Sequence, residues 1–149
     1  MAIARGAGTE IIRSHAFEDM SGAAATNKLI VGEAHHIYTV MSIIIRCGAL
    51  NTATDKFTVN FYAFDLHAGA ANQNIELFTG NPQVGETFVW NDKFSFNGFS
   101  PTGVSTAYDT ATEHNAVADQ GGTVQELRFE CESDADYNIL VTYVDQNNS

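Results

Sequence analysis

Basic side chains are scarce in this chain. Lys and Arg number 7 against 18 Asp and Glu, a formal net charge of −11. The seven are scattered singly, and the balance repels nucleic-acid phosphates and anionic membranes. Neither nucleic acid nor membrane is an expected partner. The charge suits solubility at high concentration, or docking on a basic surface. Cysteine is limited to Cys47 and Cys131. Each ends an apolar alternation and reads as a small buried hydrophobe in a reducing cytosol. A bridge between them needs two strands within bridging distance. Proline occurs only twice. No stretch approaches the roughly 20 apolar residues of a membrane span, and MAIARGAG is too polar for a signal peptide. The expectation is a protein made and kept in a cytosol, or released by lysis.

Motifs that carry chemistry are missing too. No Cys-x-x-Cys, His-x-His or acidic calcium loop occurs. His35 and His36 are adjacent, so on a strand they point to opposite faces and cannot share an ion without a bend. His15, His67 and His114 could join them only through tertiary contact. No G-x-S-x-G occurs, and neither cysteine sits beside a plausible base. Gly121-Gly122 precedes a strand, not a helix, so it is no phosphate cradle. Two carboxylates could meet in space as in a glycosidase, but with 18 acidic residues the sequence selects no pair. A non-enzymatic protein with no metal and no cofactor is the expectation.

What the chain does hold is strand pattern. At 149 residues it makes one domain, with 44% hydrophobic residues, ten Phe and five Tyr. The organising stretch is HIYTVMSIIIRC, His36 to Cys47. Ile37, Met41, Ile43, Ile45 and Cys47 share one face of an extended strand, and Tyr38, Val40 and Ile44 share the other. Apolar on both faces and rich in β-branched residues, it reads as a central strand, with a buried helix as the alternative.

Residues 1–8 are small and Gly-rich and read as an arm, either frayed or ordered against a neighbouring subunit. The domain spans 9–145. Thr9 to Glu18 is an edge strand and Lys28 to Val31 a short one. Phe57 to Ala63 alternates and should form a hairpin with the central strand. His67 to Asn74 reads as a loop and Ile75 to Phe78 as a strand or single turn. GETFVWNDKFSFNG, from Gly85, turns Phe88, Trp90, Phe94 and Phe96 inward, with Asn91-Asp92 as a bend, a bulge or a hairpin tip. Residues 98–121 read as a long loop that packs on another subunit, with a solvated loop carrying a short helix near Thr112 to Ala118 as the alternative. Leu127, Phe129 and Cys131 face in, with Glu126, Arg128, Glu130 and Glu132 facing out. Tyr137, Ile139, Val141 and Tyr143 form one face of a last central strand, which should close a hairpin with its predecessor. Residues 146–149 are a polar tail. Eight or nine strands without a convincing helix make an all-β antiparallel sandwich, with jelly-roll connections in view and a closed barrel second.

MAIARGAGTEIIRSHAFED, the HHIYTVMSIIIRC strand, the GETFVWNDKFSF segment and the final strand pair together resemble small β-rich virion proteins of tailed bacteriophages, those of marine cyanobacterial phages in particular. The likeness covers about two thirds of the chain and departs in the long loop. It implies a structural subunit of the virion, assembled in the host cytoplasm. Decoration or cement of the capsid comes first, and a neck, tail or fibre component second. The partners it implies are the major capsid protein or other virion proteins, and further copies of the chain, a trimer among the options. The apolar and charged groups of arm and loop are the contact candidates: Ile3, Arg5, Phe99, Tyr108 and Val117. A fibre role would make the chain a receptor- or carbohydrate-binding module, with Trp90 and Tyr108 as its exposed aromatics.

Overall fold

The computed structural model describes residues 8–65, 71–99 and 123–148. Nine strands are β1 (Thr9–Met20), β2 (Lys28–Val31), β3 (His36–Ala49), β4 (Phe57–Asp65), β5 (Ala71–Gly80), β6 (Thr87–Trp90), β7 (Phe94–Asn97), β8 (Glu126–Cys131) and β9 (Asp136–Asn147). No helix occurs among the described residues. One sheet runs β1-β9-β3, with β6 and β7 end to end along the far side of β3. The other runs β2-β8-β4-β5, and all pairings are antiparallel. The fold is the expected all-β sandwich. With β6 and β7 taken as one broken strand, only the β4–β5 connection stays within a sheet and every other one crosses, which is the jelly-roll order.

That crossing corrects two expected hairpins. β3 and β4 lie in different sheets, and so do β8 and β9. Each of these strands has one largely apolar face. A hairpin would turn both faces the same way, whereas crossing the sandwich edge sets them against each other and excludes water from both. Phe57 of β4 shows the result: its ring meets Phe78, Phe88, Phe129 and Tyr137 at centroid distances of 5.4–5.9 Å.

β3 is the central strand, but its faces differ from the alternation. The register with β9 slips between Val40 and Ser42. Met41 is the extra residue of a bulge, and parity reverses there. Tyr38 and Val40 therefore join Ile43, Ile45 and Cys47 on the buried face, while Ile37 and Ile44 turn outward. The partner strand breaks at the same place. Val40 pairs Phe94 and Ile43 pairs Trp90, so Asn91 to Lys93 sit opposite the bulge and form no hairpin tip. Phe88, Trp90 and Phe94 pack on the core, and Phe96 is buried within it. Cys47 and Cys131 are free thiols, and burial pushes the Cys131 thiol up to about 11.

Several boundaries move. β5 begins at Ala71, inside the stretch expected as a loop. β9 continues to Asn147, past the start of the expected tail, because Asn147 pairs with both Thr9 and His36. Gly8, placed in the arm, donates its N–H to Asn148 Oδ1 at 2.9 Å. Near the same end of the sandwich two glycines allow close backbone approach. A Cβ on Gly32 would strike the Gly98 carbonyl, and one on Gly98 would strike the Glu33 backbone.

Candidate functional site

The edge strands β1 and β2 part at one side of the sandwich and leave an open cleft of about 380 Å³. Its walls are residues whose strand parity points them inward: Arg13, His15 and Phe17 of β1, Tyr143 and Asp145 of β9, and Tyr38 of β3. Lys28 to Val31 and Glu33 close the opposite side.

Asp145 organises the polar half. Only 6% exposed, it accepts from Arg13 Nε at 2.9 Å through one oxygen and meets His36 Nδ1 at 2.6 Å through the other. A carboxylate has no proton to give, so Nδ1 carries the hydrogen. Nε2 of the same ring lies 3.4 Å from Glu33 Oε2. His35, in the left-handed region at φ 67°, makes the turn that brings His36 inward. The hydrogen bond to Asp145, and then its charge, hold the Arg13 guanidinium above its ordinary value.

Aromatic rings make the floor. Tyr38 stacks on His36 at 5.9 Å and meets Tyr143 edge-on at 5.8 Å. His15 stands edge-on to Tyr143 at 5.5 Å. The Tyr38 hydroxyl accepts the Glu33 N–H at 3.0 Å. Burial, with Asp145 nearby, raises both phenols above their ordinary range, so both stay protonated donors. Among the described residues the Tyr143 hydroxyl and the His15 ring form no hydrogen bond.

Below the cleft, Glu126 is 3% exposed where alternation had placed it outward. Arg128 donates to its Oε1 at 2.7 Å, and Lys28 Nζ stands 3.0 Å from Oε2. The Arg128 guanidinium lies 3.8 Å above the Tyr62 ring. Burial alone would raise the Glu126 carboxyl, but the bonds from Arg128 and Lys28 outweigh it and hold the group below its ordinary value.

The outer face of the β1-β9-β3 sheet is a second surface. One cross-strand row is Ala16, Leu140, Ile44 and Val89; another is Ile12, Val144, Thr39 and Ser95. Ile12 is 74% exposed and Val89 61%. The hydroxyls on this face bond to each other, Ser14 to Thr142 and Thr39 to Ser95, both at 2.8 Å. Within the paired strands charge stands at the ends, at Glu10, Glu18, Arg46 and Asp136, while Asp92 and Lys93 are exposed in the break between β6 and β7.

Of the expected contact residues, Phe99 is half-buried and bridges to Val124. Ile3, Arg5, Tyr108 and Val117 lie outside the described residues. Trp90 is no open platform. Its ring stacks on Phe78 at 4.6 Å, and its Nε1 donates to the Asp92 carbonyl. Among the described residues no three His, Cys, Asp or Glu side chains gather as a metal site. The cleft residues were not singled out by motif. The signal was present in parity: Arg13, His15 and Asp145 are polar residues at inward positions of their strands.

Fold and surfaces define an all-β sandwich of jelly-roll order with a polar cleft between β1 and β2 and a sheet face whose cross-strand rows carry no charge. No family model, curated protein or solved structure matches the chain.

Proposed function

We propose that the chain is a non-enzymatic structural subunit of a tailed-phage virion, a capsid decoration protein that stabilises the assembled head through subunit contacts. The observation that carries this reading is the outer face of the β1-β9-β3 sheet. The Ala16–Leu140–Ile44–Val89 row and Ile12 present apolar surface, the hydroxyls between are already bonded to one another, and these cross-strand rows hold no charge although the chain has a net charge of −11. Such a face loses little on leaving water and gains from apolar burial. Strands of 12 residues in a four-column sheet give a face of ~40 by ~19 Å. That is close to the roughly 800 Å² per partner of a stable interface. Docking there adds stability to a shell by mass action. The resemblance of the strand segments to phage virion proteins supplies the setting.

Immunogold labelling of phage particles from an infected culture tests it. Label over the head is the expected result. Label confined to neck, tail or fibre would replace decoration with a connector or receptor-binding role. Bare particles beside soluble protein in the lysate would overturn the virion reading.

A further inference from the structure

The cleft between β1 and β2 is separate from the outer sheet face, and its chemistry points to a different kind of ligand. Its volume of about 380 Å³ falls within the roughly 300–1,000 Å³ of small-molecule sites. Its floor is fixed before any ligand arrives. Tyr38, Tyr143 and Asp145 are each under a tenth exposed, and ring contacts and the Arg13 and His36 bonds hold them in place.

Charge in the cleft is internally balanced. Arg13 faces Asp145, Lys28 faces Glu126, and His36 stands between Asp145 and Glu33. An anion or a cation would therefore meet its own sign beside its partner. Bonding capacity nevertheless remains. Arg13 has spent only Nε of its five N–H donors, the Tyr143 hydroxyl is unused among the described residues, and the Glu33 side chain is 71% exposed. Beside these lie apolar surfaces: the Phe17 ring, Val31 and the ring of His15. Such a lining suits a neutral molecule that carries many groups able both to donate and to accept, together with a C–H face. A sugar ring has that make-up, with hydroxyls around its rim and C–H bonds on its faces. We infer that this cleft is a binding site for a neutral sugar unit, whose hydroxyls bond Arg13, Glu33 and Tyr143 while its C–H face lies on the apolar wall. The inference does not depend on the virion reading.

The test is titration of the full chain with the methyl glycosides of glucose, galactose and mannose, followed by proton–nitrogen NMR. Phosphate and glucuronate serve as charged comparisons. At least one neutral glycoside is expected to give saturable shifts of the His15 ring and of the amides of residues 13–17 and 28–31. Tyr143→Phe removes one hydroxyl and is expected to weaken binding about threefold to tenfold. His15→Ala, on an exposed ring, is a second variant that leaves the Arg13 and His36 bonds to Asp145 in place and is expected to weaken binding also. The inference is overturned if no glycoside moves these signals, if only the anions do, or if both variants bind as the parent does.

Discussion

Glu126 sets two cations on one carboxylate in a place water barely reaches. Lys28 and Arg128 both bond it, and Arg128 in turn covers Tyr62. Glu126→Gln keeps the shape and removes the charge, which leaves Arg128 half-buried without its counter-ion. We expect urea unfolding to show a loss of about 2–3 kcal/mol. Glu126→Gln combined with Arg128→Met should lose less than Glu126→Gln alone, because no uncompensated guanidinium remains. Acid acts on the same bond. Hydrogen bonds from Thr52 and Asn51 also hold the Asp55 carboxyl below its ordinary value. For a group whose folded pKa lies below its unfolded one, the unfolded chain binds more protons as pH falls. The stabilisation from Glu126 and Asp55 is thus complete above the ordinary carboxylate value of about 4 and lost as pH drops through the depressed ones. Unfolding midpoints should fall between about pH 5 and pH 2, less steeply in Asp55→Asn. Strand alternation placed Glu126 outside, since parity sees which way a side chain leaves its strand and not what lies above it. Lys28, on the neighbouring β2, encloses it.

At the scale of the element, Met41 is one residue with consequences for the whole of β3. It is the bulge that lets Tyr38 and Val40 share a face with Ile43, Ile45 and Cys47. Deleting Met41 restores unbroken alternation. Val40 then leads straight into Ser42, and regular alternation keeps Tyr38 and Val40 on the face of Ile43, Ile45 and Cys47. The deletion is expected to keep a cooperative thermal transition followed by circular dichroism. Met41→Ala keeps the bulge and should shift that transition only a few degrees, since the side chain is half-buried. Loss of the transition on deletion would refute Met41 as the extra residue of the register. The apolar content of β3 was readable from the sequence because Ile and Val dominate it. The bulge was not, since no Gly marks it and its cause is the matching break at Asn91 to Lys93 in a strand about 50 residues away.

Taken whole, the molecule has two sheet pairs of faces and buries only the inner one. The inner face follows from the alternation of β4, β8 and β9, which is why a sandwich was legible. Strand order was not, because alternation shows which side of a strand is apolar and leaves open which strand lies beside it. The outer face of the β1-β9-β3 sheet remains in water with Ile12, Val89 and Leu140 exposed. If that face docks, charge placed on it should act on association and not on folding. Val89→Lys with Leu140→Lys puts two ammonium groups on the Ala16–Leu140–Ile44–Val89 row. Both sites are solvent-exposed, so the unfolding free energy should move by no more than about 1 kcal/mol. Burying either charge against an apolar partner costs several kcal/mol, of which bonds at the rim recover only part. Co-sedimentation of the labelled protein with phage heads should therefore fall at least tenfold. Asn74→Lys with Thr79→Lys, on the outer face of the other sheet, adds the same two charges where no apolar row stands and should leave sedimentation unchanged. Equal loss from both changes would mean that net charge, and not this face, governs binding. No loss from either would remove the β1-β9-β3 face as the contact surface.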